Sequence, residues 1–322
     1  MKTNPQELFS CLGICTEKEL LDFISSWQDF TVEEIIALRN FLIDLIKPLE
    51  LDFDVYDCCG TGADGLNTFN ISTATAFLAS SSGQKICKNG GRSSTSTVGS
   101  VDVLEALGLN LAISLEKKIE ILKQENLAFI SSPVSADLLA PIKQAARKNK
   151  LASILSLIGP LTNPIKPKAQ LIGVAKNEWL ELMIEVCQQL NLKVILVQGD
   201  FQGQKLDEAI SFGTNKLVLI ENGKERSFVY TQDDDLKSSL SLLEGGTNAL
   251  ENAQIIKNIL QNQENQAKIE TLALNYALVK SLEMDFDLVS QKSIRDLSHE
   301  GLALISSRKA FVDLESFLAS YI

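Results

Sequence analysis

The segment Asp57-Cys-Cys-Gly-Thr-Gly-Ala-Asp-Gly65 combines three glycines with a threonine and two aspartates. An apolar run typical of a buried strand leads into it, and STATAFLASSSG (72–83) follows with the pattern of a helix. Glycine permits a positive φ and lets the backbone approach a ligand closely. Consecutive N–H groups in such a loop bind anions, and a helix capped by Ser72 or Thr73 would add the donors of its first turn. Strand, loop and helix together predict a phosphate-binding site.

Short apolar strands alternate with amphipathic helices from residue 52 onward, which predicts an α/β fold with a mostly parallel central sheet. The predicted strands are VYDCC, KICK, AFISS, LIGVA and KVILVQG, and a hairpin is predicted over 217–230. Helices are predicted over 72–82, 101–108, 116–125, 136–149 and 177–190, and through most of the last third. We therefore expect an N-terminal helical segment over 1–50, completed by a later helical stretch, and an α/β domain over 51–322.

The composition favours a cytoplasmic enzyme over a membrane or nucleic-acid-binding protein. The chain has 322 residues, 45% of them apolar, with a mean hydropathy of +0.08, and no apolar run approaches the ~18 residues of a membrane span. Its six cysteines include no CxxC pair, which favours reduced thiols. The net charge of −11 disfavours nucleic-acid binding, which depends on Lys and Arg. An anionic ligand must then be held by a local group of donors.

Two further groups of residues carry chemistry. Lys88 and Arg92 bracket two glycines and precede the hydroxyl-rich run SSTSTVGS (93–100), which favours anion binding over a merely solvated loop. Asp207 and Glu208 lie downstream of KVILVQG, and ligands of open α/β sheets bind at the carboxyl ends of the strands. Carboxylates close to substrate phosphates indicate Mg²⁺. The sequence thus predicts a site for a magnesium-complexed phosphate ester.

Five segments in this order resemble the anthranilate phosphoribosyltransferase family: DCCGTGADGLNTFNISTATA, KNGGRSSTSTVGSVDVLEALG, IGPLTNP, LDE and GGTNALENA. The resemblance covers nearly everything from about residue 30 to the C-terminus. It implies the nucleoside phosphorylase/phosphoribosyltransferase architecture of glycosyltransferase family 3, with a small helical domain and a larger α/β domain. It also implies Mg²⁺-dependent transfer of 5-phosphoribose from 5-phosphoribosyl 1-pyrophosphate (PRPP) to the nitrogen of anthranilate, with release of pyrophosphate.

The resemblance assigns the PRPP side of the site residue by residue. The residues implied to bind PRPP are Gly60, Thr61, Gly62, Asp64, Gly65, Thr68, Asn70, Ser72, Thr73, Lys88 and Ser100. Ser72, Asp207 and Glu208 are implied to bind the metal. Ala63 replaces one glycine of the family's loop. No residue is assigned covalent chemistry, because positioning and electrostatic stabilisation of the departing pyrophosphate can supply most of the acceleration.

The acceptor side departs from the family pattern. Asn89 and Gly91 stand where the family has a histidine and an asparagine, and Ala146 aligns with the family's anthranilate-binding arginine, beside Arg147. The losses favour a small aromatic acceptor other than anthranilate, and anthranilate itself remains open if Arg147 enters the pocket. The loop with Gly159 and Pro160 is retained. The residues of the implied acceptor pocket are Asn89, Gly91, Arg147, Gly159 and Pro160.

Three further expectations depend on the resemblance. The family is usually a homodimer paired through its helical domains, which implies a homodimer for this chain. The stretch before Asp57 is shorter than usual, which predicts a trimmed or rewired helical subdomain and weakens the case for the usual dimer. A nucleoside phosphorylase is the first alternative, because it shares the architecture and a related glycine loop. A non-catalytic relative serving as a binding or regulatory protein is the second.

Overall fold

The computed structural model describes residues 30–62, 64–90, 98–130, 154–232 and 239–321. Within them one sheet has the strand order β3-β2-β1-β4-β5-β7-β8, with β6 paired to β5. Its strands are β1 Tyr56–Gly60, β2 Ile86–Asn89, β3 Leu127–Ile130, β4 Ala169–Gly173, β5 Val194–Phe201, β6 Gln204–Leu206, β7 Thr214–Glu221 and β8 Lys224–Thr231. Strands β1 to β5 are parallel, whereas β6, β7 and β8 pair antiparallel. The predicted α/β class, the mostly parallel sheet and the hairpin are confirmed.

The strand order reverses at β1. From β1 the chain proceeds outward through β2 to β3, and it then returns to β4 on the other side of β1. The carboxyl ends of β1 and β4 lie side by side, with Gly60 and Gly173 as register partners. In open α/β sheets such a switch point opens a crevice in which ligands bind. The topology therefore places a candidate site directly after Gly60.

The helices cover both faces of this sheet. They are α1 Val32–Ile46, α2 Ile71–Ser81, α3 Ser100–Ala106, α4 Leu115–Glu125, α5 Ile154–Ile158, α6 Asn177–Gln189, α7 Ala249–Leu260, α8 Gln266–Lys280, α9 Gln291–Ser306 and α10 Lys309–Ala319. Short 3-10 helices occur at Gly159–Leu161, Leu240–Leu243, Ser281–Glu283 and Phe286–Leu288. No helix within the described ranges is both long and apolar enough to cross a membrane.

Helix α8 is the central helix of one face. Nearly all of its residues are buried, and it packs against α2, α9 and the strands β1 and β4. A helix that is apolar on every side is typical of such a position. On the opposite face α1 packs against α5 and α6, with Ile35 and Leu38 in the same core as Trp179. The division into a helical unit over 1–50 and an α/β unit over 51–322 stays a prediction.

Some boundaries differ from the predicted ones. A capping box opens α1, since Thr31 and Glu34 each accept the other's backbone N–H. Helix α2, however, begins at Ile71 with Asn70 as its N-cap, so the prediction that Ser72 or Thr73 caps it was wrong. The Asn70 carbonyl already accepts the N–H groups of Thr73 and Ala74, which places Ser72 and Thr73 inside the first turn. The predicted helix 136–149 lies outside the described residues.

Candidate functional site

The glycine loop begins where β1 ends. The N–H of Thr61 donates to the Gly173 carbonyl at 2.9 Å and extends the pairing with β4 by one residue. Gly62 and Gly65 then adopt φ values of 66° and 75°. Side chains rarely tolerate this left-handed region, so the prediction of a loop that needs glycine is confirmed at these two positions.

Three other glycines are required because Asp207 and Glu208 lie directly against the strand ends. A Cβ at Gly173 would lie 1.5 Å from the Asp207 carbonyl oxygen, and one at Gly60 would lie 2.3 Å from Oδ2 of Asp207. A Cβ at Gly199 would lie 2.4 Å from the Glu208 carbonyl oxygen. The carboxyl ends of β1, β4 and β5 therefore form a flat seat for the acidic pair. The predicted metal-binding residues are thus brought to the switch point.

The acidic pair is joined to the glycine loop by its side chains. The N–H of Gly62 donates to Asp207 Oδ2 at 2.6 Å, and the carboxyl groups of Asp64 and Asp207 share a hydrogen bond. Burial, and then repulsion from Asp64, raise the pKa of Asp207 to about 7. Burial also raises the pKa of Asp64. A cation bound close to both carboxylates would lower these pKa values.

Glu208 extends the site to the start of α2. It accepts the backbone N–H of Ser72, and burial followed by repulsion from Asp207 raises its pKa well above the ordinary value. Lys88 lies close enough to oppose that shift. The Lys88 ammonium is itself buried and donates to the Cys58 carbonyl at 2.6 Å. Burial alone would lower the pKa of Lys88, but the neighbouring thiols and carboxylates leave it raised, so the side chain is a cation inside the site.

The first turn of α2 adds an unused donor. The Thr73 hydroxyl is fully buried and has no hydrogen-bond partner among the described residues. An unpartnered buried hydroxyl destabilises the protein unless a ligand satisfies it. Asn70 makes no side-chain cap bond either. The N-terminus of α2 therefore retains capacity for an anion beside Glu208.

Thr68 and Ser100 lie around the same loop. Thr68 forms a bridge with Glu244, and the N–H of Gly245 donates to the Asn67 carbonyl at 2.8 Å. These contacts place the GGTNALENA segment against the residues that lead into α2. Ser100 opens α3, with its hydroxyl 3.6 Å from the position of a Cβ at Gly90. The described residues that the resemblance assigns to PRPP therefore come from separate parts of the chain.

The acceptor-side residues meet on the opposite face of β1. The Asn89 side chain donates to the Gly159 carbonyl at 2.9 Å, and its backbone N–H donates to Asp57 Oδ1 at 3.1 Å. Asn163 donates to Asp57 Oδ2 at 2.9 Å. The Gln170 amide donates to the carbonyl of Pro160 at 2.9 Å. The structure thus connects Asn89, Gly159 and Pro160, whereas Gly91 and Arg147 lie outside the described residues.

A sequence model of the glycosyl transferase family, a/b domain, matches residues 52–304. The anthranilate phosphoribosyltransferase of Synechococcus sp. (strain CC9902) is 36% identical over 279 residues, which cover 84% of this chain and 78% of the relative. The chain belongs to the anthranilate phosphoribosyltransferase family. The corresponding enzyme of Prochlorococcus marinus (strain NATL2A) is 36% identical over 293 residues, covering 89% of this chain and 83% of the relative.

Solved structures of the family have the same fold. Anthranilate phosphoribosyltransferase from Thermus thermophilus superposes with a TM-score of 0.81 at 26% identity, covering 98% of this chain and 94% of that one. The Saccharomyces cerevisiae enzyme, solved in complex with PRPP and Mg, gives a TM-score of 0.79 at 20% identity over 98% of this chain and 90% of that one. The family assignment makes the chain a pentosyltransferase of the phosphoribosyltransferase class.

Two sequence-based expectations change at this point. An acceptor other than anthranilate finds no support in the relatives, which are named anthranilate phosphoribosyltransferases. Asp57 had been given no role, yet it is fully buried at the centre of the acceptor-side network. Burial raises its pKa against the opposing effects of Lys88, Asn163 and two backbone N–H groups. The sequence signal for a role of Asp57 was its position as a single acidic residue inside an apolar strand.

Proposed function

We propose that this protein transfers the 5-phosphoribosyl group of PRPP to the amino nitrogen of anthranilate and releases pyrophosphate. The observation that carries the proposal is that Asp207 and Glu208 pack directly against Gly60, Gly173 and Gly199 at the switch point. There the pair touches both the glycine loop and the first turn of α2. Family membership supports the reaction class, and the relatives' names support the acceptor.

The residues fit a bound Mg²⁺ that the substrate helps to coordinate. No group of three His, Cys, Asp or Glu side chains in the described ranges is arranged as a complete metal site. Mg²⁺ usually takes one or two carboxylates and completes its shell with waters and substrate phosphates, so a partial protein site is expected. Burial raises the pKa of both Asp207 and Glu208, with a further contribution from Asp64 at Asp207 and from Asp207 at Glu208, and a bound cation would oppose these shifts. We assign the metal to this pair, on the side of Ser72.

The protein groups act on the leaving pyrophosphate by electrostatics. When bound, Mg²⁺ supplies charge stabilisation to the departing phosphate oxygens. Lys88 provides a buried positive charge beside Glu208, and the Thr73 hydroxyl provides a donor that no described residue uses. The loop glycines let backbone N–H groups approach the phosphates. Donors fixed before the reaction lower the barrier because they need not reorganise as negative charge develops.

The acceptor is held from the other side of β1. Gly159 is exposed and Pro160 buried, and Asn89 ties the exposed Gly159 carbonyl to the end of β2. A fixed loop of this kind can orient a flat aromatic ring toward the ribose carbon, and orientation alone can contribute several kcal/mol, roughly 7 in favourable cases. We assign Asn89, Gly91, Arg147, Gly159 and Pro160 to this pocket.

The replacement of the family's histidine by Asn89 favours one second candidate, a related aromatic amine as the acceptor. An acceptor panel that includes anthranilate separates the two, since pyrophosphate release with anthranilate supports our proposal. Release only with another amine would support the second candidate. Phosphorolysis of uridine or thymidine instead would indicate a nucleoside phosphorylase, and PRPP binding with no turnover would indicate a non-catalytic relative.

The PRPP side is tested by calorimetric titration of PRPP in the presence of Mg²⁺. We expect binding by the wild-type protein and loss of binding in the Asp207→Asn/Glu208→Gln double variant. Asp54→Asn is the matched control, because Asp54 is an exposed carboxylate at the amino end of β1, paired with Lys168. It should bind PRPP like the wild type. Absence of PRPP binding in the wild-type protein would refute the proposal.

A further inference from the structure

The segment that carries Asp207 and Glu208 is held by side chains rather than by a sheet or a helix. It runs from the end of β6 to the start of β7 and has no regular secondary structure over 207–213. The amide of Asn275, from the middle of α8, pairs with both backbone groups of Ala209. The Ala209 N–H donates to Asn275 Oδ1 at 3.2 Å, and Asn275 Nδ2 donates to the Ala209 carbonyl at 2.8 Å.

The next two residues are held in the same way. Asn215 pairs with both backbone groups of Ile210, accepting its N–H at 2.8 Å and donating to its carbonyl at 2.9 Å. The Thr271 hydroxyl accepts the N–H of Ser211 at 3.3 Å. The side chains that hold the segment are all fully buried, so water cannot replace these bonds.

We propose that Asn275, supported by Asn215 and Thr271, is a positioning residue that fixes the Asp207-Glu208 segment for the divalent cation. The three side chains bond to backbone groups of the three residues that directly follow Glu208, so they fix where the backbone of the acidic pair lies against Gly60, Gly173 and Gly199. The inference rests on the proposed function, because it assigns the metal to this pair.

Helix α8 suits this role because nearly all of its residues are buried. Thr271 and Asn275 are one turn apart and therefore lie on the same side of α8. Asn275 Nδ2 also donates to the Thr271 carbonyl at 2.9 Å, which fixes the orientation of the amide. A rigid helix thereby sets the position of a loop that has no regular pairing of its own. Groups that orient metal ligands typically contribute about 10–100-fold to metal affinity.

The test is the affinity of the metal-free protein for Mn²⁺ in the presence of saturating PRPP, followed by the electron paramagnetic resonance signal of free Mn²⁺. We expect Asn275→Ala to weaken Mn²⁺ binding by about 10–100-fold. Thr271→Val should give a smaller loss because it acts two residues further along, and Thr271→Ser should restore the wild-type affinity because it keeps the hydroxyl. Turnover by Asn275→Ala should recover toward that of the wild type at high Mg²⁺.

Gln84→Leu is the matched control for stability. Gln84 is also a buried amide that bonds to α8, donating to the Val279 carbonyl at 2.9 Å, but it precedes β2 at the amino ends of the strands. Its loss should destabilise the protein without changing Mn²⁺ affinity. Hydrogen exchange of the metal-free protein gives a second readout, with faster exchange expected over 207–213 in Asn275→Ala alone.

The outcomes distinguish this inference from the proposed function. Wild-type affinity for Mn²⁺ in a folded Asn275→Ala variant, or equal losses in Asn275→Ala and Gln84→Leu, would overturn the inference and leave the proposed function intact. If Asn275→Ala does not fold, Thr271→Val decides the question by the same measurement. A wild-type protein that binds neither Mn²⁺ nor PRPP would overturn both.

Discussion

Gly173→Ala is expected to disable the site by moving Asp207. The added Cβ would lie 1.5 Å from the Asp207 carbonyl oxygen, whereas ordinary contacts begin near 3.4 Å, so the backbone must separate by about 2 Å. Neither strand β4 nor the segment that carries Asp207 can move easily. Gly173 is paired with β1 and with β5 through Gly60 and Val197, and the segment after Glu208 is held by Asn275. Overpacking of this kind costs about 1–3 kcal/mol of unfolding free energy, and a contact with backbone belongs at the upper end.

The effect on turnover is expected to exceed the effect on folding. A misplacement of about 1 Å can lower a rate by about 100-fold, so kcat/KM for PRPP should fall by at least about that factor. The assay follows the loss of anthranilate fluorescence while PRPP is varied at saturating Mg²⁺. Urea denaturation reports stability in parallel. A fall in kcat/KM together with a stability loss of about 3 kcal/mol would match the overpacking at Gly173.

Gly159→Ala is the control for the added methyl group. A Cβ there meets no atom within 4 Å, and Gly159 does not have a positive φ. Since Gly159 belongs to the proposed acceptor pocket, the control is compared for stability and for PRPP binding without acceptor, and both should match the wild type. The reasoning is refuted if Gly173→Ala also retains wild-type stability and PRPP binding, because Asp207 would then not be seated on β4.

Two further predictions concern protonation and the acceptor loop. Because burial and Asp64 raise the pKa of Asp207 to about 7, the folded metal-free protein holds a proton that the unfolded chain releases near the ordinary value of 3.8. This contribution to stability is present at low pH and is lost as the pH rises from about 4 through about 7. In urea denaturation of the metal-free protein, the free energy of unfolding should therefore decline over this range, and the decline should be smaller in Asp207→Asn. An equal decline in the variant would contradict the assignment. Asn89→Ala removes the 2.9 Å bond to Gly159 and should raise KM for anthranilate by roughly fivefold, the equivalent of about 1 kcal/mol, with KM for PRPP unchanged. Steady-state kinetics check this, and an equal change in both constants would count against it.

The sequence predicted the features that depend on neighbouring residues. The glycines after β1 predict a loop with positive φ, and the positive φ values of Gly62 and Gly65 follow from local steric rules. The predicted hairpin of β7 and β8 is local in the same sense. The buried run of β5 was predictable because a parallel strand covered on both faces is apolar throughout.

The remaining features depend on contacts between distant parts of the chain. Asn275 is 66 residues from Ala209, and only the packing of α8 against the sheet brings them together. The separation of Gly62 and Asp207, which is 145 residues, gives their bond no local signal. Gly173 and Gly199 have no special backbone conformation, and their need for glycine becomes evident only when the acidic segment lies against them. The sequence signal for the role of α8 was an asparagine within the mainly apolar segment TLALNYALVKSL.

The proposed donor and acceptor sides are linked because both contain residues of strand β1. Successive side chains of a strand point to opposite faces, so Cys58 and Asp57 face different layers. On one face the Cys58 thiol donates to the Ser72 carbonyl at 3.5 Å, and the Cys58 carbonyl accepts Lys88. On the other, Asp57 accepts the amide of Asn163, which holds the acceptor loop. In the proposed reaction, a shift of β1 along its axis would displace both substrates together, and the glycine end of β1 would set the distance between the ribose carbon and the attacking nitrogen as well as bind phosphate.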